Sequence, residues 1–269
     1  MSFAGRVIRR PEATLSVVID EMSDGPAPGH PEIWRVVADN PGPMTLTGTN
    51  TYLVGRDPCW VIDPGPDDDS HVAALFEAAG ERGGAAGALV SHHHADHTGA
   101  IPGVERLGIT VVQPVDGERY GPLEAVATPG HAIDHFCFFA GLSGRRVCFT
   151  GDLILGWGST YVPPDGGSLA AYMNSLRLVR DRRPELLCPG HGPWITESAA
   201  KIDEYINHRQ AREDALLGAL EDGVRSRMEL LATVWDDVPG VLRPAAAVVL
   251  EAHLQKLDAE GRLPADLAE

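Results

Sequence analysis

No run of about eighteen apolar residues occurs anywhere in the chain, so a membrane-spanning helix is excluded. The opening stretch, MSFAGRVIRRPEATLSVVID, has arginines but no unbroken apolar segment followed by a small-residue cleavage site, so export is not expected. No CxxC pair is present. Cys59, Cys137, Cys148 and Cys188 stand far apart in short apolar runs such as CWVID, FCFF and VCFTGD, which predicts buried free thiols rather than a disulfide framework. These absences together imply a soluble protein of the reducing cytoplasm with no membrane partner. Basic residues are also scarce: Lys and Arg total 22 against 38 Asp and Glu, a net charge of -16. Such a surface repels nucleic acid and anionic membranes, so binding to either would need a local basic groove. Internal repeats and low-complexity segments are missing as well.

What is present suits one large domain, or one with a small appendage: 269 residues, 43% of them hydrophobic, can bury a substantial core. Up to about residue 195, short β-rich runs alternate with loops ending in Gly, Asp or His. NTYLVG, CWVID, AGALVSH, ITVVQP, EAVAT, HFCFFAG, RRVCFTGD and PELLCPGH read as strands. DSHVAALFEAAGERG, opening on Asp and Ser as caps, and SLAAYMNSLRLVRDR, stopping at Pro184, read as helices. The mixture predicts an α/β layered domain. After Trp194 the texture changes. ITESAAKIDEYINHRQAREDALLGALEDG has helical spacing with Thr196 and Glu197 at its start, and MELLATVWDDVPG and PAAAVVLEAHLQKLDAEGRL follow as further helices, the last opening on Pro244 and stopping at Gly261. Trp235, Val248, Leu250, Leu254 and Leu257 are its expected core.

The chemistry gathers where strands end. SHHHADHTG follows the apolar strand AGALV, so its side chains emerge from a strand end into a tight loop. His92 and His94, two apart, can face one site, and Asp96 and His97 can reach a second beside it, leaving His93 to point away. Imidazole and carboxylate are the usual zinc ligands besides thiolate. A His-rich tract alone also reads as a surface patch. Other strand ends favour the metal: TPGHAIDH supplies His131, FTGD supplies Asp152 and PGHG supplies His191. Five histidines and two aspartates from four strand ends suit two adjacent metals.

This constellation resembles the metallo-β-lactamase superfamily, whose pattern is H-x-H-x-D-H, then a separate His, an Asp and a His. The resemblance implies that His92, His94 and His131 hold one metal, that Asp96, His97 and His191 hold the other, and that Asp152 bridges them. Asp63 in VIDPG matches the superfamily's early Asp-x-Gly element, which lies behind the metals and orients ligand histidines. NPGPMTLTGTNTYLVG, VIDPG, TPGHAIDH, TGDLILG, AYMNSL and PGHGP, with the helical tail, are similar to the beta-lactamase-like protein 2 group. Ala132 departs from the Thr that often follows this His, which bears on a local hydrogen bond but removes no ligand. The resemblance implies a four-layer αβ/βα sandwich over residues 1–200 and a helical, winged-helix-like domain over 201–269. Members of the group with known activity include a single-strand-selective endoribonuclease, and relatives in polyketide pathways are thioesterases.

Two Zn²⁺ ions, with Fe or Mn as alternatives for such a shell, would activate a bridging hydroxide without any protein nucleophile. Asp96 and Asp152 are then the expected catalytic carboxylates. His135 either touches substrate as a catalytic group or supports the site from behind. Because Asp152 stands where true β-lactamases carry Cys or lack a bridge, antibiotic hydrolysis is not expected. Thr49, Asn50 and Tyr52 either line the mouth or build a turn and strand. The stretch GWGSTYVPPDGG, with Trp157 and Tyr161, suits a mobile loop over a base or acyl chain, or a loop packed by its own aromatics. Arg177, Arg180, Arg182 and Arg183 either meet phosphates or form a solvated helix face. Acidic residues such as Asp236, Asp237, Glu251 and Glu260 interrupt any basic stripe on the tail, so it is expected to cover the cleft or form a homodimer contact. The functional readings are therefore a dinuclear-metal hydrolase cutting single-stranded RNA, a thioesterase acting on acyl-CoA, acyl-carrier or glutathione thioesters, and a non-catalytic metal-binding regulatory protein.

Overall fold

The computed structural model describes residues 23–267, so the opening stretch read for an export signal lies outside the described residues. A six-stranded sheet holds, side by side, β1 (Gly25–Ala27), β2 (His30–Val37), β3 (Asn50–Val54), β4 (Cys59–Ile62), β5 (Ala85–Leu89) and β6 (Val111–Val112). A five-stranded sheet runs in the order β11 (Leu186–Pro189), β10 (Arg145–Gly151), β9 (Phe136–Leu142), β8 (Leu123–Ala127) and β7 (Arg119–Tyr120). β4, β5 and β6 are mutually parallel, as are β10 and β11, and the remaining pairs are antiparallel. Helices α1 (Asp69–Gly80), α2 (Ala95–Thr98) and α3 (Ile101–Arg106) belong to the first half, and α4 (Leu169–Arg182) and α5 (Ser198–Glu221) to the second. α6 (Arg227–Val234), a 3-10 turn at Gly240–Leu242, and α7 (Arg243–Ala259) complete the chain.

The alternation of side chains along each strand explains the layers. Tyr52, Val54, Ile62 and Leu89 of one sheet meet Leu123, Phe138, Ala140, Val147, Phe149 and Cys188 of the other in a central core. The opposite faces are equally apolar: Leu53, Cys59, Val61 and Ala88 lie under Val72, Leu75 and Val104 of α1 and α3. On the far side, Cys137, Phe139, Cys148 and Leu187 lie under Leu169, Met173, Leu176 and Ile202 of α4 and α5. Strands buried on both faces read as continuous hydrophobic runs, which is why FCFF and CWVI show no period of two. The result is the four-layer αβ/βα sandwich expected of the sequence. All four cysteines are buried and free.

Three features differ from the sequence reading. β2 is a full strand, yet its alternation is hidden by Arg35, wholly buried because its guanidinium bonds Ser23 O at 2.8 Å and lies 4.6 Å from the Trp194 ring centroid. α1 is capped by Asp68, one residue before the Asp–Ser pair chosen from sequence, since Asp68 is extended and its carboxylate accepts the N–H groups of Ser70 and His71. ITVVQP contributes only the two-residue strand β6.

α4 stops as expected before Pro184, with Arg183 in the left-handed conformation. α5 begins at Ser198 and runs through position 200: Ile202 and Tyr205 join the core beside α4, whereas Leu216, Ala219 and Leu220 join the C-terminal core. That second core contains Leu230, Val234, Trp235, Leu250, Leu254 and Leu257, while Val248 is only half-buried. Among the described residues, no helix is long and apolar enough to cross a membrane.

Candidate metal centre

Every predicted ligand sits at one end of the sandwich. β4, β5, β8, β10 and β11 all point their C-terminal ends there, so the loops that follow them converge. The loop before β3 joins them, because β3 runs antiparallel to β4 and a bridge pairs Thr49 with His191. Two glycines permit the close approach. Gly151 has φ +45°, and a Cβ there would lie 2.8 Å from both His135 and Ser91; at Gly190 a Cβ would lie 2.6 Å from Asp152.

His92, His94 and His131 form one group: Nδ1 of His94 stands 2.9 Å from His92 Nε2 and 3.0 Å from His131 Nε2. Asp96, His97 and His191 form a second, with Asp96 Oδ2 lying 3.1 Å from His191 Nε2 and 3.6 Å from His97 Nε2. In each group one donor atom per residue falls within 4.8 Å of the others. Asp152 stands between them. Its Oδ1 is 3.4 Å from His191 Nε2 and 3.5 Å from His97 Nε2, while its Oδ2 is 3.6 Å from His131 Nε2. His93 turns outward to an exposed pairing with Asp134 at 2.8 Å.

The outer nitrogens decide what the inner ones can do. His131 Nδ1 donates to Tyr161 O at 2.6 Å, His191 Nδ1 to Gly48 O at 3.2 Å, and His97 Nδ1 to Asp63 Oδ2 at 2.9 Å. Ser91 gives its hydroxyl proton to Asp63 Oδ2 at 2.9 Å, so its oxygen accepts from His92 Nδ1 at 2.9 Å. With one proton held outside, each of these rings can aim an Nε2 lone pair inward once that inner nitrogen is unprotonated. His97 Nε2, His191 Nε2 and Asp152 Oδ1 are buried and have no hydrogen-bond partner among the described residues. Imidazole nitrogens and carboxylate oxygens converging in this way form a donor set that fits divalent metals.

The electrostatics agree. Burial opposes charging His97, yet the Asp63 and Asp152 carboxylates outweigh it and hold its pKa well above the usual range. Burial likewise opposes charge on His191, but Asp152 and Asp96 bring it up to about 9. Burial works against the Asp152 carboxylate, but His191 and His97 hold it well below its ordinary value. The carboxylates therefore favour positive charge at the cluster, whether carried by protons on His97 and His191 or by bound cations.

His135 is not placed to touch substrate, contrary to one of the two sequence readings. It is 1% exposed, its Nε2 accepts the Asp152 N–H at 3.2 Å, and its Nδ1 bonds Thr128 Oγ1 at 2.9 Å. Burial, with His131 nearby, brings its pKa down to about 3, so it stays neutral and fixes the backbone of Asp152. Thr49, Asn50 and Tyr52 are buried too. Asn50 Nδ2 donates to Pro189 O and Gly192 O, and Tyr52 OH to Pro189 O, so they brace the loop carrying His191. The arginines of α4 belong to the other end: α4 connects two parallel strands, so its C-terminus lies where β11 begins. There Arg182 pairs with Glu124 at 2.7 Å and Arg180 with Asp203 at 3.8 Å. Sequence reasoning missed Ser91 and the carbonyls of Gly48 and Tyr161.

Residues 44–124 and 110–191 match the family described as the metallo-beta-lactamase superfamily, and residues 226–265 match the beta-lactamase associated winged helix domain. The chain is 32% identical to a beta-lactamase-like protein 2 homolog of Caenorhabditis elegans, over 93% of this chain and 90% of that protein. It is 33% identical to an atrochrysone carboxyl ACP thioesterase of Aspergillus chevalieri, over 88% of this chain and 84% of that protein. A solved metallo-beta-lactamase family protein of Thermus thermophilus, 23% identical, superposes with a TM-score of 0.70 over 87% of this chain and 95% of its own. The structure of TTHA1623 in a di-iron-bound form, 27% identical, covers 61% of this chain and 95% of its own at a TM-score of 0.50.

Proposed function

The chain belongs to the metallo-beta-lactamase superfamily and carries its associated winged helix domain, and from that footing we propose that it is a dinuclear-metal hydrolase of acyl thioesters. In this reading His92, His94 and His131 would hold one ion, Asp96, His97 and His191 the other, and Asp152 would serve both. Zinc and iron both suit a nitrogen and oxygen shell, and a relative described in a di-iron-bound form keeps iron in view. Two such ions, when bound, supply Lewis-acid polarisation of the scissile bond and lower the pKa of a bound water toward 7. The protein's part is to hold the set rigid. Asp63, Ser91, Gly48 and Tyr161 keep the outer imidazole protons in place, and His135 holds Asp152. Asp96 retains some solvent access, with 26% of its side chain exposed, so its carboxylate can accept a hydrogen bond from the attacking water.

One observation carries the choice of substrate. The loops around the cluster, residues 41–48, 63–69, 91–98, 128–135, 152–168 and 189–197, contain no Lys or Arg. They do carry Asp67, Asp68, Asp69, Asp134 and Asp165. Binding an RNA strand depends on cations that neutralise successive phosphates, and this end offers none on its loops. It offers exposed apolar side chains instead: Ile133, between His131 and His135, is 77% exposed, and Met44, in the loop leading to Gly48, is 57% exposed. An acyl chain suits that rim. A thioesterase among the relatives supports the same choice. The test sets metal-loaded full-length protein against a panel of chromogenic acyl thioesters and, in parallel, labelled single-stranded RNA. Thioester turnover that disappears in Asp152→Ala, with RNA intact, is expected. Cleavage of RNA by protein inert toward every thioester would overturn the proposal in favour of a ribonuclease.

A further inference from the structure

The segment after Asp152 is fastened from an unexpected direction. Arg209 lies on α5, the helix that continues into the C-terminal core, and is only 3% exposed. Its Nη2 donates to Ser159 Oγ at 2.9 Å and to Thr160 O, and its guanidinium lies 5.5 Å from the Tyr172 ring centroid. Both neighbours are tied to the residue beside Asp152: Tyr172 OH donates to Leu153 O at 2.7 Å, and Thr160 Oγ1 to the same oxygen at 3.2 Å. The next carbonyl along the chain, that of Tyr161, accepts the His131 Nδ1–H at 2.6 Å. A single peptide unit therefore separates the carbonyl held by Arg209 from the carbonyl that aims His131.

We propose that Arg209 is a positioning residue for the metal centre, setting the direction of the His131 imidazole through the 159–161 segment and so making the C-terminal helices a working part of the site. A guanidinium suits the task because Nη2 carries two N–H groups in a fixed plane, one for the Ser159 hydroxyl and one for the Thr160 carbonyl. His253 on α7 is fully buried, and burial and Arg209 push its pKa down to about 3, so it remains neutral. Arg209 touches neither ligand atoms nor the open mouth and acts only through Tyr161.

The inference rests on the ligand assignment proposed above, and cobalt titration of metal-free protein separates the two. Wild type should take up two equivalents; fewer would count against the assignment rather than against Arg209. In Arg209→Ala the equivalent bound by His92, His94 and His131 should weaken by about 10- to 100-fold, the usual effect of losing an outer support of a metal ligand, while the other keeps its affinity. The His131 Nδ1–H resonance, contact-shifted by cobalt, should identify the weakened site and exchange faster with water. Arg209→Lys should show the same split to a smaller degree, and decides the matter if the alanine variant does not fold. Arg212→Ala, one turn away and paired with Asp237 at 2.7 Å, should bind both equivalents like wild type. Folded Arg209 variants with both affinities unchanged, or with both lowered equally, would overturn the proposal.

Discussion

Replacing Asp63 by Asn tests how the outer hydrogen bonds control the centre. The Asp63 carboxylate accepts three protons: the Ser91 N–H at 2.6 Å, the Ser91 hydroxyl at 2.9 Å and the His97 Nδ1–H at 2.9 Å. Asn is nearly isosteric and is among the few residues that tolerate the left-handed backbone found here, φ +54°. It offers one acceptor oxygen and one NH₂ donor, so no orientation satisfies all three partners. With the oxygen toward His97, the NH₂ opposes the Ser91 amide. With the oxygen toward Ser91, the NH₂ faces His97 Nδ1 and drives the ring to the tautomer that carries its proton on Nε2, removing a lone pair from the centre. Loss of such a support typically weakens metal binding by about 10- to 100-fold, or about 1.4 to 2.7 kcal/mol. Competition with a chromophoric chelator reads this directly. The weaker of the two changes should fall on the group without His97. Affinities within about twofold of wild type for both equivalents would refute the argument that these bonds select the tautomers.

The separation of faces in the histidine run makes a simpler contrast: His93→Ala should retain both metals, whereas His92→Ala and Asp96→Ala should lose metal on elemental analysis, and equal loss in all three would count against it. His253 supplies a pH dependence. Its pKa falls from an unfolded value near 6.5 to about 3 because burial disfavours the imidazolium, so the stability it contributes is complete above pH 6.5 and declines as pH falls toward 3. At pH 4.5 that loss is about 2 to 3 kcal/mol, so in urea titrations His253→Leu should lose less stability between pH 7 and 4.5 than wild type does. Identical pH slopes would exclude it.

Much of the fold and site was legible because both follow from local chemistry. Strands buried on two faces announce themselves as apolar runs, and a buried carboxylate or imidazole at a strand end stands out against them. His92, His94, Asp96, His97, His131, Asp152 and His191 stand out in the sequence as candidate ligands because they lie at or just beyond the ends of such runs. What escaped had no side-chain signature. The acceptors that aim His131 and His191 are main-chain carbonyls of Tyr161 and Gly48, and every residue has one of those. β2 was hidden by a buried arginine, whose partners come from residues 23 and 192–194. The short helix α3 after the histidine loop contains Gly103, a residue that weighs against a helix until it is seen packed against Val72. His135 shows the converse limit: its spacing from His131 suggests chemistry, but only its partners reveal that both nitrogens are already engaged.

The central claim is that seven side chains from four strand ends hold two cations that share Asp152. Isothermal titration of metal-free protein with a divalent ion, run beside Asp152→Ala, measures it most directly. Two equivalents per chain in wild type, with both weakened by the single substitution, is the expected result. One equivalent, or two that survive the loss of Asp152 unchanged, would contradict it.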